Sequence, residues 1–357
     1  MERGFGVVNL SIDIYKAYFG SKVLFIFPSK ILGGHELMSI DIIKDLISLN
    51  IDINVICDPS NHNLIKILNE MGLSYNFLPF SQPHFEIIQT FFNIYRNFFF
   101  FRYLKSVNWE SYSKIILIQG DIEIGSIIVN YFYEKRIQFC SYIPYAHSAY
   151  LMDKKLSFIR DLLSKISYSR VDEFITINKD SAEKLKKFNK HCQLYILKNK
   201  VRNLEKYKEM KREYSLKRSD GIINIFLIGR VYFRQKGQDL FVEALRQSNI
   251  DCSKIAIHII GNGPDQKKLE NLFVQKVPEL EVHYYGWLSE PWEIAYKCDY
   301  LIIPSRFEGV PLVMLEAREL DITILASNRD GMKDYISKEY LFDDLSDFVE
   351  LINREIK

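Results

Sequence analysis

No uncharged apolar run in this 357-residue chain is long enough to cross a bilayer, since a spanning helix needs about 20 such residues in a row. The start does not read as a secretory leader either. Met1-Glu2-Arg3 is charged, and Asn9, Ser11 and Asp13 interrupt the apolar residues behind it. The five cysteines, Cys57, Cys140, Cys192, Cys252 and Cys298, are isolated and odd in number. That excludes a disulfide framework, a zinc ribbon and a Cys-x-x-Cys redox centre, and it suits a reducing cytoplasm. Neither sign of charge is in excess. With 47 basic and 45 acidic residues the net charge is +2, which gives no basis for binding nucleic acid. Ser-His-Asp and Cys-His signatures are missing, so a protein nucleophile is not indicated. Asp121-Ile122-Glu123 is the nearest approach to a metal-binding Asp-x-Asp pair, but Ile122 and Ile124 make it a strand or loop edge. No metal is expected.

What the chain does have is apolar strands alternating with helices. Lys22 to Phe27 is a buried-type strand, followed by a turn over Pro28 to Gly34 and a helical pattern from His35 to Leu49. Further strands are read at Ile53 to Cys57, Lys114 to Ile118, Gln138 to Ile143 and Glu173 to Ile177. Such alternation predicts a doubly wound parallel sheet. The pattern restarts at Ile222, behind the charged segment Asn199 to Asp220. Two α/β domains are therefore expected, over 1–198 and 199–357, each long enough for its own core.

The most informative stretch is Ser305 to Ala317, SRFEGVPLVMLEA, which follows the strand Asp299 to Pro304 and enters a helix over Val310 to Leu320. A helix opening at the carboxyl end of a parallel strand turns unpaired amides toward a ligand and favours an anion. Glu308 is placed at the strand's mouth and Glu316 about two turns into the helix. Taken alone, the Glu-x7-Glu spacing favours a solvated helix face. Gly229-Arg230 ends the strand from Gly221, and Lys236-Gly237 opens the next helix, so one loop carries a guanidinium and an ammonium suited to a diphosphate. Gly261-Asn262-Gly263-Pro264 is a tight turn after the strand Lys254 to Ile260.

Taken in order, Gly229-Arg230, Lys236-Gly237, Gly261-Asn262-Gly263-Pro264, Gly286-Trp287-Leu288, Asp299 and Ser305 through Ala317 resemble the nucleotide-binding half of the retaining glycosyltransferases of family 4. The resemblance implies the GT-B fold, in which two Rossmann-like doubly wound parallel-sheet domains face each other across a cleft. It implies transfer of a sugar from a nucleotide-diphosphate sugar, with retention by same-face attack and with neither metal nor cofactor. Arg230 and Lys236 would neutralise the leaving diphosphate, Glu308 would hold the sugar's hydroxyls, and Glu316 the ribose. Gly229, Gly261, Gly263, Leu288, Gly309, Val310, Pro311 and Leu312 would complete the donor site. Gly33-Gly34 is either a simple turn or the loop that closes over the donor phosphates. His147, just past the strand Gln138 to Ile143, would contact the reacting sugar, whereas His35 and Glu36 read as the first turn of a helix. The acceptor implied is a glycan, lipid-linked or part of a surface polysaccharide, at the cytoplasmic face of a membrane.

Some positions depart from the family's pattern. Val310-Pro311 stands where Phe-Gly is common, Asp321-Ile322-Thr323 replaces Gly-x-Pro, and Asn199-Lys200-Val201 replaces Asn-Gly-Val. The chain also stops at Lys357, ahead of a helix that usually crosses back. The reading then is either looser coupling or a substitute crossing by the residues ahead of Lys22. Phe91 to Lys105, FFNIYRNFFFFRYLK, is either a buried connecting helix or a peripheral contact with an anionic membrane face. A nucleotide-sugar epimerase and a non-catalytic nucleotide-sugar binder are the alternative functions. A phosphorylase is set aside because no lysine site for pyridoxal phosphate is found.

Overall fold

The computed structural model describes residues 8–219 and 221–356; the charged start at Met1, and also Asp220 and Lys357, lie outside them. The chain divides into two compact units, Met1–Lys200 and Val201–Lys357. Each is built on its own all-parallel sheet.

In unit 1 the strands are β1 (Val8–Asn9), β2 (Lys22–Phe27), β3 (Asp52–Cys57), β4 (Tyr75–Phe77), β5 (Lys114–Ile118), β6 (Cys140–Tyr142), β7 (Glu173–Thr176) and β8 (Gln193–Ile196). They lie in the order β1-β8-β7-β6-β5-β2-β3-β4. Val23 to Phe27 are wholly buried, as expected of a strand with helices on both faces. Strands β2 to β4 step one way and β5 to β8 the other, so the switch point lies between the carboxyl ends of β2 and β5. Doubly wound sheets bind their ligands at such a crevice. The sequence reading missed β1, β4 and β8. The residues ahead of Lys22 add β1 to the edge of this sheet, followed by the helix Ile12–Phe19, which buries Tyr15 and Phe19.

The aromatic run 91–105 is not one helix. Glu86–Phe92 ends at Asn93, whose side chain accepts from the Arg96 amide at 3.0 Å and starts a second helix, Ile94–Lys105. That helix buries Arg96, Phe100 and Leu104 and leaves Ile94 81% and Tyr95 75% exposed. It is therefore not buried around its circumference, as the connecting-helix reading required. Among the described residues no helix is long and apolar enough to cross a membrane.

In unit 2 the strands are β9 (Ile223–Ile228), β10 (Ile255–Ile260), β11 (Glu281–Gly286), β12 (Tyr300–Ile303), β13 (Thr323–Ser327) and β14 (Leu341–Phe342), in the order β11-β10-β9-β12-β13-β14. The switch point here falls between β9 and β12. The charged segment read as a junction is mostly a helix of this unit, Glu205–Lys217, whose Lys211 donates to the Cys298 carbonyl at 3.0 Å. Its polar composition reflects a solvated face. Asp299 accepts two 2.8 Å bonds from Arg218 and one from the Asn224 amide. It precedes β12, so it stands at the amino edge of the sheet, away from the ligand-binding edge, and its role is to hold strands together.

His258 sits in the middle of β10, bonded to Asn224 and Tyr285 at 2.9 Å each and stacked on Phe226. Burial, with His283 and Lys297 nearby, lowers its pKa from 6.5 to about 4. The unfolded chain therefore binds the extra proton first on acidification, and stability falls as pH drops from about 6.5 toward 4. A shift of this size corresponds to roughly 2–3 kcal/mol. His258→Gln is expected to flatten that part of the melting-temperature profile, and an unchanged slope between pH 6.5 and 4 refutes the assignment.

Candidate functional site

Three loops meet at the carboxyl edge of unit 2. Gly229 donates to the Ile260 carbonyl, Val231 to Asn262 and Gly261 to Gly286, at 2.7–3.0 Å. These bonds join the ends of β9, β10 and β11 into one backbone surface, and they require two glycines. A Cβ on Gly261 would lie 1.9 Å from the Gly229 oxygen, and one on Gly263 2.0 Å from that of Val231. No side chain fits at those distances, so the turn read from the sequence is a point of backbone contact. Leu288 lies two residues beyond Gly286 on the same edge.

Arg230, two residues past β9, is exposed; its carbonyl accepts from Gln238 Nε2 at 2.9 Å, and its guanidinium meets no ion-pair partner among the described residues. Lys236 does not open the long helix as expected. It ends a single turn, Phe233–Lys236, and Gly237 separates that turn from Gln238–Gln247. The short turn brings Lys236 over Gly229 and into an ion pair with Glu308. Glu308 also accepts from Ser305 Oγ at 3.2 Å, and its amide donates to Asp330 at 2.9 Å. The two groups assigned separately to phosphate and sugar are thus in contact in the protein alone.

The helix after β12 runs from Leu312 to Glu319 with Pro311 as its N-cap. It starts two residues later than read because the 128° ψ of Pro311 is not helical. Glu316 is consequently little more than one turn from its start. The Gly309-Val310-Pro311 approach is buried, and the helix begins past the carboxyl end of β12, the neighbour of β9, with its first amides unpaired within the helix. Glu316 is nearly buried. One of its oxygens accepts from Trp292 Nε1 and the other pairs with Arg202 Nε, each at 2.7 Å. Neither partner was legible in the sequence, since Trp292 lies 24 residues upstream on another element and Arg202 ahead of β9. Each oxygen keeps a second lone pair for a hydroxyl.

In unit 1, Gly33 caps the helix Gly34–Ser48 and its amide donates to Glu36 Oε2 at 2.7 Å. That bond engages the Gly33 amide within the turn in the protein alone. Glu36, with His35, forms the first helical turn as read. His147 is buried on the loop after β6, its ring 5.2 Å from that of Tyr145. Asp161 fastens this loop by accepting from the Ala149 and Tyr150 amides. Asp121 and Glu123 are engaged by Lys154, and Glu123 also by Arg160, so the acidic pair is neutralised by side chains. Among the described residues no group of three or more His, Cys, Asp or Glu side chains is arranged to hold a metal.

Comparison with known proteins agrees with this geometry. Residues 208–354 match the model of the family described as glycosyl transferases group 1. A lipopolysaccharide 1,6-galactosyltransferase of Salmonella typhimurium is 32% identical over 145 residues, which are 37% of this chain and 39% of that protein. An N,N'-diacetylbacillosaminyl-diphospho-undecaprenol alpha-1,3-N-acetylgalactosaminyltransferase of Campylobacter jejuni is 26% identical over 191 residues, 51% of this chain and 49% of its own. The chain thus spans half or less of the length of these curated relatives. Among solved structures, Anabaena HepE in complex with UDP and glucose superposes with a TM-score of 0.70 at 15% identity, covering 94% of this chain and 89% of that one. The lipopolysaccharide outer core galactosyltransferase WaaB in its apo form gives 0.63 at 20%, covering 93% and 89%. These likenesses show the GT-B fold. The second unit, over residues 208–354, is thus similar to the glycosyl transferases group 1.

Proposed function

We propose that the chain is a retaining glycosyltransferase of family 4 that moves a sugar from a nucleotide-diphosphate sugar to a lipid-linked or surface-polysaccharide glycan. The observation that carries this reading is the Lys236–Glu308 pair just ahead of the Leu312–Glu319 helix, with Arg230 exposed at the carboxyl end of β9, the strand that neighbours β12. As the glycosidic bond breaks, negative charge grows on the leaving diphosphate, and fixed cations there stabilise the transition state more than the bound donor. Side chains supply that charge, so the reading requires no metal or cofactor. Glu308 receives the sugar hydroxyls as Lys236 turns to phosphate, and Glu316 receives the ribose. His147 is assigned to the reacting groups. The relatives named for lipopolysaccharide and for a diphospho-undecaprenol acceptor support the choice of glycan.

Calorimetric titration with a panel of nucleoside diphosphates, followed by incubation of the full chain with the matching radiolabelled nucleotide-sugars in EDTA, tests the reading. Slow donor hydrolysis or transfer with retained anomeric configuration is expected. Interconversion of sugars points to the epimerase, and saturable binding without turnover to a binding protein. Glu316→Ala should weaken nucleotide affinity about tenfold or more, the scale of one lost charge-assisted hydrogen bond; an unchanged dissociation constant rules out the ribose contact.

We further assign unit 1 a peripheral place at the cytoplasmic face of a membrane. Ile94, Tyr95 and Phe98 are exposed on one helix, and Phe158, 83% exposed, with Leu162 on another (Ser157–Ser169), alongside exposed Arg102, Lys105, Lys155 and Lys165. Apolar side chains set among cations suit an anionic interface. Cosedimentation with vesicles containing phosphatidylglycerol is expected, and equal recovery with neutral vesicles argues against it.

A further inference from the structure

One guanidinium in unit 2 reaches two carboxylates that belong to different elements. Arg202 stands at the start of this unit, ahead of β9. Its Nη1 donates to Glu290 Oε2 at 2.9 Å, and its Nε lies 2.7 Å from Glu316 Oε1. Glu290 is in the loop after β11, two residues past Leu288, and Glu316 is in the helix after β12. The Glu316 contact is an ion pair rather than an aligned hydrogen bond, and the Nε atom is shielded from solvent.

Uncharged groups complete the arrangement. The Tyr207 hydroxyl donates to the same Glu290 oxygen at 3.0 Å, from the helix Glu205–Lys217 of which Tyr207 is the buried residue. Trp292, two residues past Glu290, donates to the other Glu316 oxygen. Charge comes from Arg202, the one cation paired with Glu316 among the described residues. Glu316 keeps only 9% of its exposure, and a carboxylate so placed is costly without a cation. A second carboxylate close by raises that cost. The planar fork of an arginine holds two acceptors in fixed directions, which a single point charge does not.

We propose that Arg202 is the positioning residue for the nucleoside end of the donor site: by pairing with Glu290 and Glu316 together, it fixes the Glu316 carboxylate against the β11–β12 loop in the orientation that meets the ribose hydroxyls. This rests on the transferase reading, of which it deepens the ribose contact. Arg202 acts through Glu316 and does not itself bind the nucleotide.

The test is calorimetry on the full chain with UDP, CDP, GDP and ADP, each beside its 2′,3′-dideoxy counterpart. The wild type is expected to bind at least one ribonucleotide about tenfold more tightly than the dideoxy form. Arg202→Ala should lower that ribonucleotide's affinity about tenfold, the scale of one charge-assisted hydrogen bond. The affinity of the dideoxy form should stay where it is, a split that a general loosening of the fold would not produce. Arg202→Ala/Glu316→Ala should bind the ribonucleotide as Glu316→Ala does, because a residue that acts through another then has nothing to act on. The double variant strands no carboxylate at position 316, so it reports even where Arg202→Ala fails to fold. The inference is overturned by a wild type indifferent to the ribose hydroxyls, by equal losses of the two forms in Arg202→Ala, or by an unchanged ribonucleotide affinity there. A further loss in the double variant also overturns it, since that marks direct contact between Arg202 and the nucleotide. A wild type that binds none of the eight nucleotides instead removes the transferase reading, and this inference with it.

Discussion

Arg230→Ala is expected to lower turnover about a thousandfold, the upper range for deleting one preorganised group that stabilises transition-state charge, and to leave the melting temperature nearly unchanged. The side chain is exposed and unpaired in the protein alone, and substitutions at such positions usually stay within about 0.5 kcal/mol. Lys236→Ala should lose as much activity, but it differs in stability because it strands the nearly buried Glu308 carboxylate. An uncompensated group of that kind costs about 1–3 kcal/mol. The double variant Lys236→Ala/Glu308→Gln separates the two effects, since stability should return while turnover does not. Steady-state kinetics with thermal melts decide the matter. Wild-type turnover in both single variants would falsify the leaving-group role.

The second large effect is structural. Gly261→Ala places a methyl group 1.9 Å from the Gly229 oxygen at a φ of +136°. Relief requires the ends of β9 and β10 to separate, so destabilisation of at least about 4 kcal/mol is expected, at the far end of single-site effects. Nucleotide binding should be lost with it. Gly221→Ala in the same unit is the control. Its φ is +69° and a Cβ there meets nothing within 4 Å, so only the left-handed backbone term of about 1–2 kcal/mol applies. Comparable melting temperatures for the two variants would dispose of the contact argument.

The sequence was most readable where one physical signal dominated. Val23 to Phe27, Ile115 to Ile118 and, apart from His258, Ile255 to Ile260 are apolar because helices cover both faces of a parallel sheet. Short edge strands lack that signal. Val8–Asn9 has two residues and Tyr75–Phe77 three, with side chains partly in water, so neither stands out from a loop. The helix Glu205–Lys217 went unread for the opposite reason: it buries only Tyr207, and its charges look like a linker. At the site, the glycines and the cations were legible because backbone approach and diphosphate binding each call for particular residue types. The partners were not. Lys236 meets Glu308 across 72 positions and Trp292 meets Glu316 across 24, and such pairings are made by the sheet order β9-β12 and the helices beside it. His35 was read as a helix start, which it is. Its contact with Gly120 depends on β2 and β5 being neighbours, which only the fold reveals.

The Lys236–Glu308 pair can make the site discriminating. Orthophosphate can claim the lysine only by leaving a desolvated carboxylate with a single serine neighbour. On the proposed reading a sugar diphosphate would bring hydroxyls that satisfy the glutamate as its phosphate takes the ammonium, so that both exchanges would occur together. Inorganic phosphate should therefore be a poor competitor, and the protein can keep its cations ready in a phosphate-rich cell without being poisoned by it.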